Sequence, residues 1–352
     1  MKSLLLIIFI SLTHITIAQT QESLPKVIAK NWVYIPQLAY LTTGIIGNDT
    51  INFDTRDRHI QTDAFFISSL EISNKAYHQF INEFGKSGML PDTNSWVTDF
   101  AVSYNGPMLT HYFSHPKYED YPVVGVSQTQ ALAYCQWLQN GLNKRLLESE
   151  KYKNYECEVT LPTESQWESA FYHSYQAGNV NAKSSGWFLR HNLVDKKGNY
   201  KVNYGQEYTP EGFVTKDFIS DGGLYPLDVY SYGPNRKGIY NLLGNIAEWT
   251  ISPAYNTSDV VKFSLDTIHK TITYYTKQSN KEKYDTSKPI FYWGSMKNIK
   301  RIYQKDGYMA VKGGSWRHGI FHLQPAVCLY CKPSEQHSFV GFRPVLTIYK
   351  KN

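Results

Sequence analysis

The sequence predicts a single α+β domain with little regular secondary structure. Three observations predict it. First, the hydrophobic pattern switches three times from strand-like alternation to a helical face. Second, the stretches between are long, without periodicity, and rich in Gly, Asn, Tyr and Asp, which argues against an ordinary layered α/β fold. Third, aromatic side chains make up 15% of the 352 residues (28 Tyr, 17 Phe and 8 Trp) while only 4 are Cys, so packing rather than a disulfide scaffold must build the core. At 42% hydrophobic and 19% charged, the chain is too apolar for disorder. Its net charge of +6 is scattered, apart from a Lys-rich stretch at 277–301, and reads as a solvated surface rather than a nucleic-acid footprint.

Residues 1–18 combine Lys2, an apolar run over residues 4–12, and Thr16 and Ala18 at cleavage-site spacing, which is the pattern of a secretory signal peptide. The apolar run is shorter than the ~20 residues a membrane span needs. No cysteine follows it to accept a lipid, and no later segment is apolar enough to be transmembrane. The expected product is exported. Residues 19–60 read as an N-terminal lead-in and residues 61–350 as the domain. Within it Ser73 should cap a helix carrying Tyr77, Phe80, Ile81 and Phe84 on one face. Residues 96–121 read as irregular and Tyr-rich. Ser127 should cap a second helix with Ala131, Tyr134, Cys135 and Leu138 inward. Thr163 and Gln166 form a capping box for a third, with Trp167 and Ala170 inward. A loop region follows, broken by a short strand at 224–232. A polar insertion at 251–305 could hold a hairpin at 271–275. Two strand-like pieces, YMAVKGGSW and VGFRPVLTIY, close the chain.

The motifs LPTESQWE, GIYNLLGNIAEWT, VKGGSW and GFRPV occur in this order, after PVVGVSQTQALAYCQWL. Together they resemble the formylglycine-generating-enzyme, or sulfatase-modifying-factor, family over residues 64–349. The resemblance implies a loop-rich α+β fold related to C-type lectins. Residues 95–127 resemble more narrowly the gliding-motility and type IX secretion lipoproteins of the GldK/PorK type. These imply a non-catalytic, ring-forming component of an exported assembly at the periplasmic side of the outer membrane. The missing lipidation cysteine departs from that subgroup.

Catalytic members of the family need two cysteines, three and eight residues after the Ser of GGS, to bind Cu(I) and oxidise a substrate cysteine. Counting from Ser315 gives His318 and Leu323. A leucine cannot ligate a metal, so no copper and no oxidase chemistry are expected. Cys328 and Cys331 form a C-x-x-C further on. They could be a displaced metal or redox pair completed by His318 and His322, or structural thiols on a strand. The resemblance implies structural Ca2+, held at one site by Asn241, Gly244, Ile246 and Glu248 and at a second by Asn203, Tyr204, Asp221 and Gly223. At the first, Glu248 could instead be a buried hydrogen-bond acceptor. Trp167, Trp249, Trp316 and Phe342 read as core, and Gly313 and Gly314 as a tight turn. Arg343 should pair with a buried carboxylate, with Glu164 and Glu168 as candidates. His111 and His115 stand four apart but beside Pro116, which reads as loop. No G-x-S-x-G, H-E-x-x-H or phosphate-binding glycine loop occurs. An oxidase with altered ligands and a secreted binding module remain the alternative functions.

Overall fold

The computed structural model describes residues 28, 31–47, 53–85, 87–99, 106–175, 193–205, 207–208, 214–216, 219–253, 307–325 and 327–351. The expected signal peptide, the expected hairpin at 271–275 and most of the polar insertion lie outside them.

Two four-stranded sheets organise the domain. The first has the order β1 (Trp32–Ile35), β4 (Phe65–Ser68), β12 (Val345–Lys350), β5 (Tyr155–Thr160), antiparallel throughout. β2 (Leu38–Gly47) and β3 (Phe53–Thr62) pair with each other in a ten-residue register. The expected lead-in therefore supplies the edge strand β1, whose residue Ile35 is buried against Phe65, and the boundary at 60 cuts through β3. The second sheet has the order β10 (Leu329–Cys331), β9 (Met309–Lys312), β8 (Ala247–Pro253), β11 (Val340–Gly341), with β11 parallel to β8. The short ladder β6 (Glu207–Tyr208) and β7 (Val214–Lys216) lies between β5 and β8 in the chain. Residues 251–253, assigned from sequence to the insertion, complete β8, and Pro253 stands opposite Met309.

The helices begin where hydroxyl side chains can satisfy their first amides. Ser73 Oγ accepts the Ala76 N–H of α1 (Asn74–Phe84), and Tyr77, Phe80 and Ile81 are buried. Phe84, expected on the same face, is 53% exposed: it closes the last turn, with its ring against Phe80 at 5.0 Å and the rest in solvent. The described residues of 96–121 hold more regular structure than their composition suggested. They hold α2 (Ser95–Thr98), α3 (Gly106–His111) and a single 3-10 turn at Pro116–Tyr118. In α4 (Gln128–Leu147), Ser127 and Gln130 exchange both capping-box bonds, and Ala131, Tyr134 and Cys135 are buried, with Leu138 packed beside them. α5 (Glu164–Tyr175) begins with the same reciprocal pair, Thr163 and Gln166, and buries Trp167 and Ala170.

Aromatic contacts join these elements. Tyr77 of α1 stacks on Tyr134 of α4 at 5.9 Å, and both rings meet Phe342 edge-on. Trp96 of α2 lies nearly parallel to Trp316 at 6.0 Å, which ties α2 into the core. Each such pair contributes about 0.5–1.5 kcal/mol beyond the area it buries.

Residues 224–232 form turns instead of the expected strand. Their backbone is held by a side chain: Asn245 Oδ1 accepts the Leu227 N–H at 2.7 Å, and Asn245 Nδ2 donates to the Leu227 carbonyl at 3.1 Å. An amide side chain thus replaces a neighbouring strand. Gly244 lets that loop close: its φ is +70, and a Cβ there would overlap the Asn203 carbonyl.

Candidate functional site

β9 leads through Gly313 and Gly314, at φ +93 and +68, into Ser315 and Trp316. The Gly314 position is tight, since a Cβ would stand 3.0 Å from the His322 carbonyl. This turn delivers the two positions where the family resemblance calls for thiols. His318 is half-buried, with Nδ1 2.6 Å from Ser315 Oγ. Loss of water around its ring, then the nearby His322, Arg317 and His337, hold its pKa well below the usual imidazole range. Leu323 is wholly buried in the core cluster of Trp167 and Phe171. The second position is therefore a packing position, with no atom that could bind a metal.

Between the sheets lies a buried charged network. Phe342, Arg343 and Pro344 carry the chain from β11 to β12, and the Arg343 side chain is completely buried. Its Nε donates to Glu248 Oε1 at 2.6 Å, and its terminal nitrogens donate to the carbonyls of Ser68, Tyr240 and Asn241. Glu248 Oε2 accepts the Trp167 Nε1–H at 2.9 Å. The partner of Arg343 is thus Glu248, not Glu164 or Glu168. Those two residues face the buried Lys312 Nζ at 3.2 and 3.0 Å, and Lys312 also donates to the Pro325 carbonyl. β8 and β9 place Glu248 opposite Lys312 in register, yet Glu248 takes the Arg343 guanidinium and Lys312 the Glu164 and Glu168 carboxylates.

Glu71 extends the first network. Its Oε2 accepts from Asn245 Nδ2 at 2.9 Å and Asn241 Nδ2 at 3.2 Å, while its buried Oε1 has no hydrogen-bond partner among the described residues. Burial above all, with Glu248 nearby, pushes its pKa up to about 8, against the pull of Arg343 and the two amides. A protonated Glu71 leaves one cation and one anion in the cluster, which balances a charge that the interior could not otherwise solvate. No sequence motif pointed to Glu71. Its role depends on contacts with residues 170 and 174 positions away.

The side chains of the two expected cation sets are engaged differently. In the first, Glu248 has each oxygen engaged, by Arg343 and by Trp167, and Asn241 Nδ2 also donates to the Asp228 and Val229 carbonyls. A cation there would have to share Glu248 with a guanidinium. In the second, Asp221 is buried and its oxygens accept the Tyr204 and Gly223 N–H groups at 2.8 and 3.2 Å. Asn203 Nδ2 donates to the Tyr225 carbonyl and Asn245 Oδ1, which fixes the amide, and its buried Oδ1 is left with no hydrogen-bond partner among the described residues. Asn203 Oδ1 and the Asp221 carboxylate are oxygens of the kind that Ca2+ takes as ligands.

The remaining candidates separate. His111 ends α3, the His115 N–H bonds to its carbonyl, and the His115 Nδ1 accepts the Lys117 N–H as a cap, with the two rings edge to face at 5.9 Å. All four cysteines are buried free thiols. Cys331 is grouped not with His318 and His322 but with Glu335 and His337, which sequence spacing did not single out.

Removing one partner of the central pair strands a buried charge. Glu248→Gln and Arg343→Met should each lower unfolding free energy by about 3–5 kcal/mol, measured by urea denaturation; a change below about 1 kcal/mol would show that the pair is not structural. Glu71 has the opposite pH signature to a salt-bridged acid. Its folded pKa of about 8 lies above the unfolded value of about 4.3. Its contribution is therefore complete below the unfolded pKa and is lost as pH rises toward 8. Between pH 5 and 8 the wild type should lose about 2–4 kcal/mol more than Glu71→Gln, and parallel stability profiles would refute the assignment.

A sequence profile of the sulfatase-modifying factor enzyme 1-like domain matches residues 30–348. The chain is 28% identical over 217 residues to the formylglycine-generating enzyme of Mus musculus, covering 55% of this chain and 50% of that protein. It is 30% identical over 139 residues to the formylglycine-generating enzyme of Streptomyces coelicolor, covering 39% and 34%. It is 29% identical over 140 residues to the inactive C-alpha-formylglycine-generating enzyme 2 of Bos taurus, covering 40% and 35%. The chain spans about half the length of the first curated relatives it matches, and less of the others. Among solved structures, Treponema denticola variable protein 1 aligns with a TM-score of 0.47 at 15% identity, over 89% of this chain and 94% of that one. From just before β1 into β12, the chain belongs to the sulfatase-modifying-factor family, whose named relatives include formylglycine-generating enzymes and a protein named inactive.

Proposed function

We propose that the chain is a non-catalytic structural and interaction component of an exported assembly, of the gliding-motility and type IX secretion kind. The observation that carries this reading is the pair His318 and Leu323 at the thiol positions, the second of them sealed in the core. An oxidase built on two soft thiolates cannot operate through a neutral imidazole and an alkyl chain. The resemblance of residues 95–127 to the secretion subgroup supports the choice of assembly. The described residues of that segment are anchored by Trp96 on Trp316 and by the Tyr112 hydroxyl donating to the Pro122 carbonyl. The expected location is the periplasm or the periphery of the outer membrane. Among the described residues no helix is long and apolar enough to cross a membrane. Oxidase activity with altered ligands is the second reading, favoured by the name of the enzyme relatives.

One experiment separates the two. The purified chain, loaded with copper, is incubated with a cysteine-containing sulfatase-motif peptide and oxygen, and the tagged native protein is crosslinked in cells and its partners identified by mass spectrometry. No aldehyde product and a stable outer-membrane or periplasmic partner are expected. Aldehyde formation sensitive to Cys331→Ser would instead establish the oxidase.

Calcium belongs to the same proposal as a structural ion at Asn203, Tyr204, Asp221 and Gly223, where it would pin the loop before β8; at Asn241, Gly244, Ile246 and Glu248 it would compete with Arg343. Chelator should lower the melting temperature of the wild type by several degrees, roughly the effect of 1–3 kcal/mol, and leave Asp221→Asn unmoved. No shift with excess chelator would remove calcium from the account.

A further inference from the structure

We propose that Cys331, Glu335 and His337 form a zinc-type transition-metal site. Among the described residues they are the one group of three His, Cys, Asp or Glu side chains whose ligand atoms all lie within 4.8 Å of one another. They offer one sulfur, one oxygen and one nitrogen, a mixture suited to Zn2+ and not to Ca2+.

The backbone around the three is anchored. Cys331 ends β10, opposite Met309 of β9. The chain then turns, with the Glu335 N–H on the Lys332 carbonyl at 2.9 Å and the Lys332 N–H on Glu335 Oε2 at 2.9 Å. Two bonds fasten the turn to the entry of α4: Gln128 N–H to the Pro333 carbonyl at 3.0 Å, and Gly125 N–H to the His337 carbonyl at 2.8 Å.

The imidazole is oriented as a metal ligand would be. His337 Nδ1 lies 2.9 Å from Asp99 Oδ1, and Asp99 Oδ2 is itself held by the Ser338 N–H at 2.6 Å and hydroxyl at 3.1 Å. This assigns the ring proton to Nδ1 and turns the Nε2 lone pair toward Glu335 Oε2, 3.7 Å away. A carboxylate behind a histidine whose free nitrogen faces another carboxylate and a thiol is the second layer that metal-binding histidines use. Phe339 stacks on His337 at 4.8 Å and stiffens the ring.

Ligands around zinc stand about 2.0–2.3 Å from the ion, so the three must draw together on binding. Glu335 and His337 can do so, since 38% and 25% of their side-chain surfaces are exposed, while the buried thiol stays in place. The exposed rim leaves a fourth position for water. Binding replaces the thiol proton with the metal and releases it. The competing occupant is a proton on His337, stabilised by the same carboxylates. A proton recruits no thiolate, which makes sulfur ligation the deciding signature.

The test uses the full chain without a polyhistidine tag, reduced and metal-free, titrated with Zn2+ by calorimetry and with Co2+ by absorption. About one equivalent should bind, with a cobalt–thiolate charge-transfer band. Cys331→Ser should abolish the band. Glu335→Gln and His337→Gln, on the exposed rim, should weaken binding roughly tenfold or more, and Asp99→Asn by about 10–100-fold with the band retained. Absence of stoichiometric uptake, or uptake and a band unchanged in the Glu335 and His337 variants, would overturn the site. Should Cys331→Ser fail to fold, those two variants decide the question alone.

Discussion

The fold depends on one buried ion pair. Arg343 sits on the three residues that carry the chain from the second sheet to the first, and its guanidinium reaches β4 through Ser68, the loop before β8 through Tyr240 and Asn241, and β8 itself through Glu248. Glu248 then holds α5 through Trp167. Both four-stranded sheets, one helix and the loop before β8 meet at a single cation. Desolvating that cation is costly, and the structure offsets the cost with a hydrogen bond from every guanidinium nitrogen. Lys312, on the neighbouring strand β9, repeats the device with Glu164 and Glu168, again fastening α5 to the second sheet.

The loops follow the same logic on a smaller scale. A chain with short strands has few ladder bonds to offer its backbone, and buried amides must still be satisfied. Asn203, Asn245 and Asp221 take over that task and are all buried. Asn245 bonds both backbone groups of Leu227, and Asp221 accepts the Tyr204 and Gly223 N–H groups. Asn203 Oδ1 is a buried acceptor to which this internal bonding does not extend among the described residues.

The same scaffold packs the turn after β9 and the position of Leu323 as parts of the core. The glycine turn after β9 and Trp316 are kept as structural parts, and Leu323 fills its position with apolar volume in the core. Nearby aromatic and imidazole rings cluster around Phe339, which contacts both His318 and His337. Phe339 thereby brings the turn after β9 and the loop after β10 against a common ring.

Local patterns by themselves determined a good deal of this protein. Ser73, Ser127 and Thr163 announced their helices because capping is a bond between residues three apart, and Tyr77, Tyr134 and Trp167 announced the buried faces because helical period survives in the sequence. The ordered motifs were enough to identify the family, and counting from Ser315 was enough to find His318 and Leu323. Tertiary structure alone decided which charges meet. Arg343 pairs with Glu248, 95 residues away, and Lys312 with Glu164, 148 away, and no spacing rule distinguishes these from the reverse assignment. The strand β1 and the helices α2 and α3 are too short to show a period in sequence, and β1 and α2 are held by tertiary partners, β4 and Trp316. Asp99 reaches His337 across 238 residues, so the layer behind the histidine became visible only when the chain had folded.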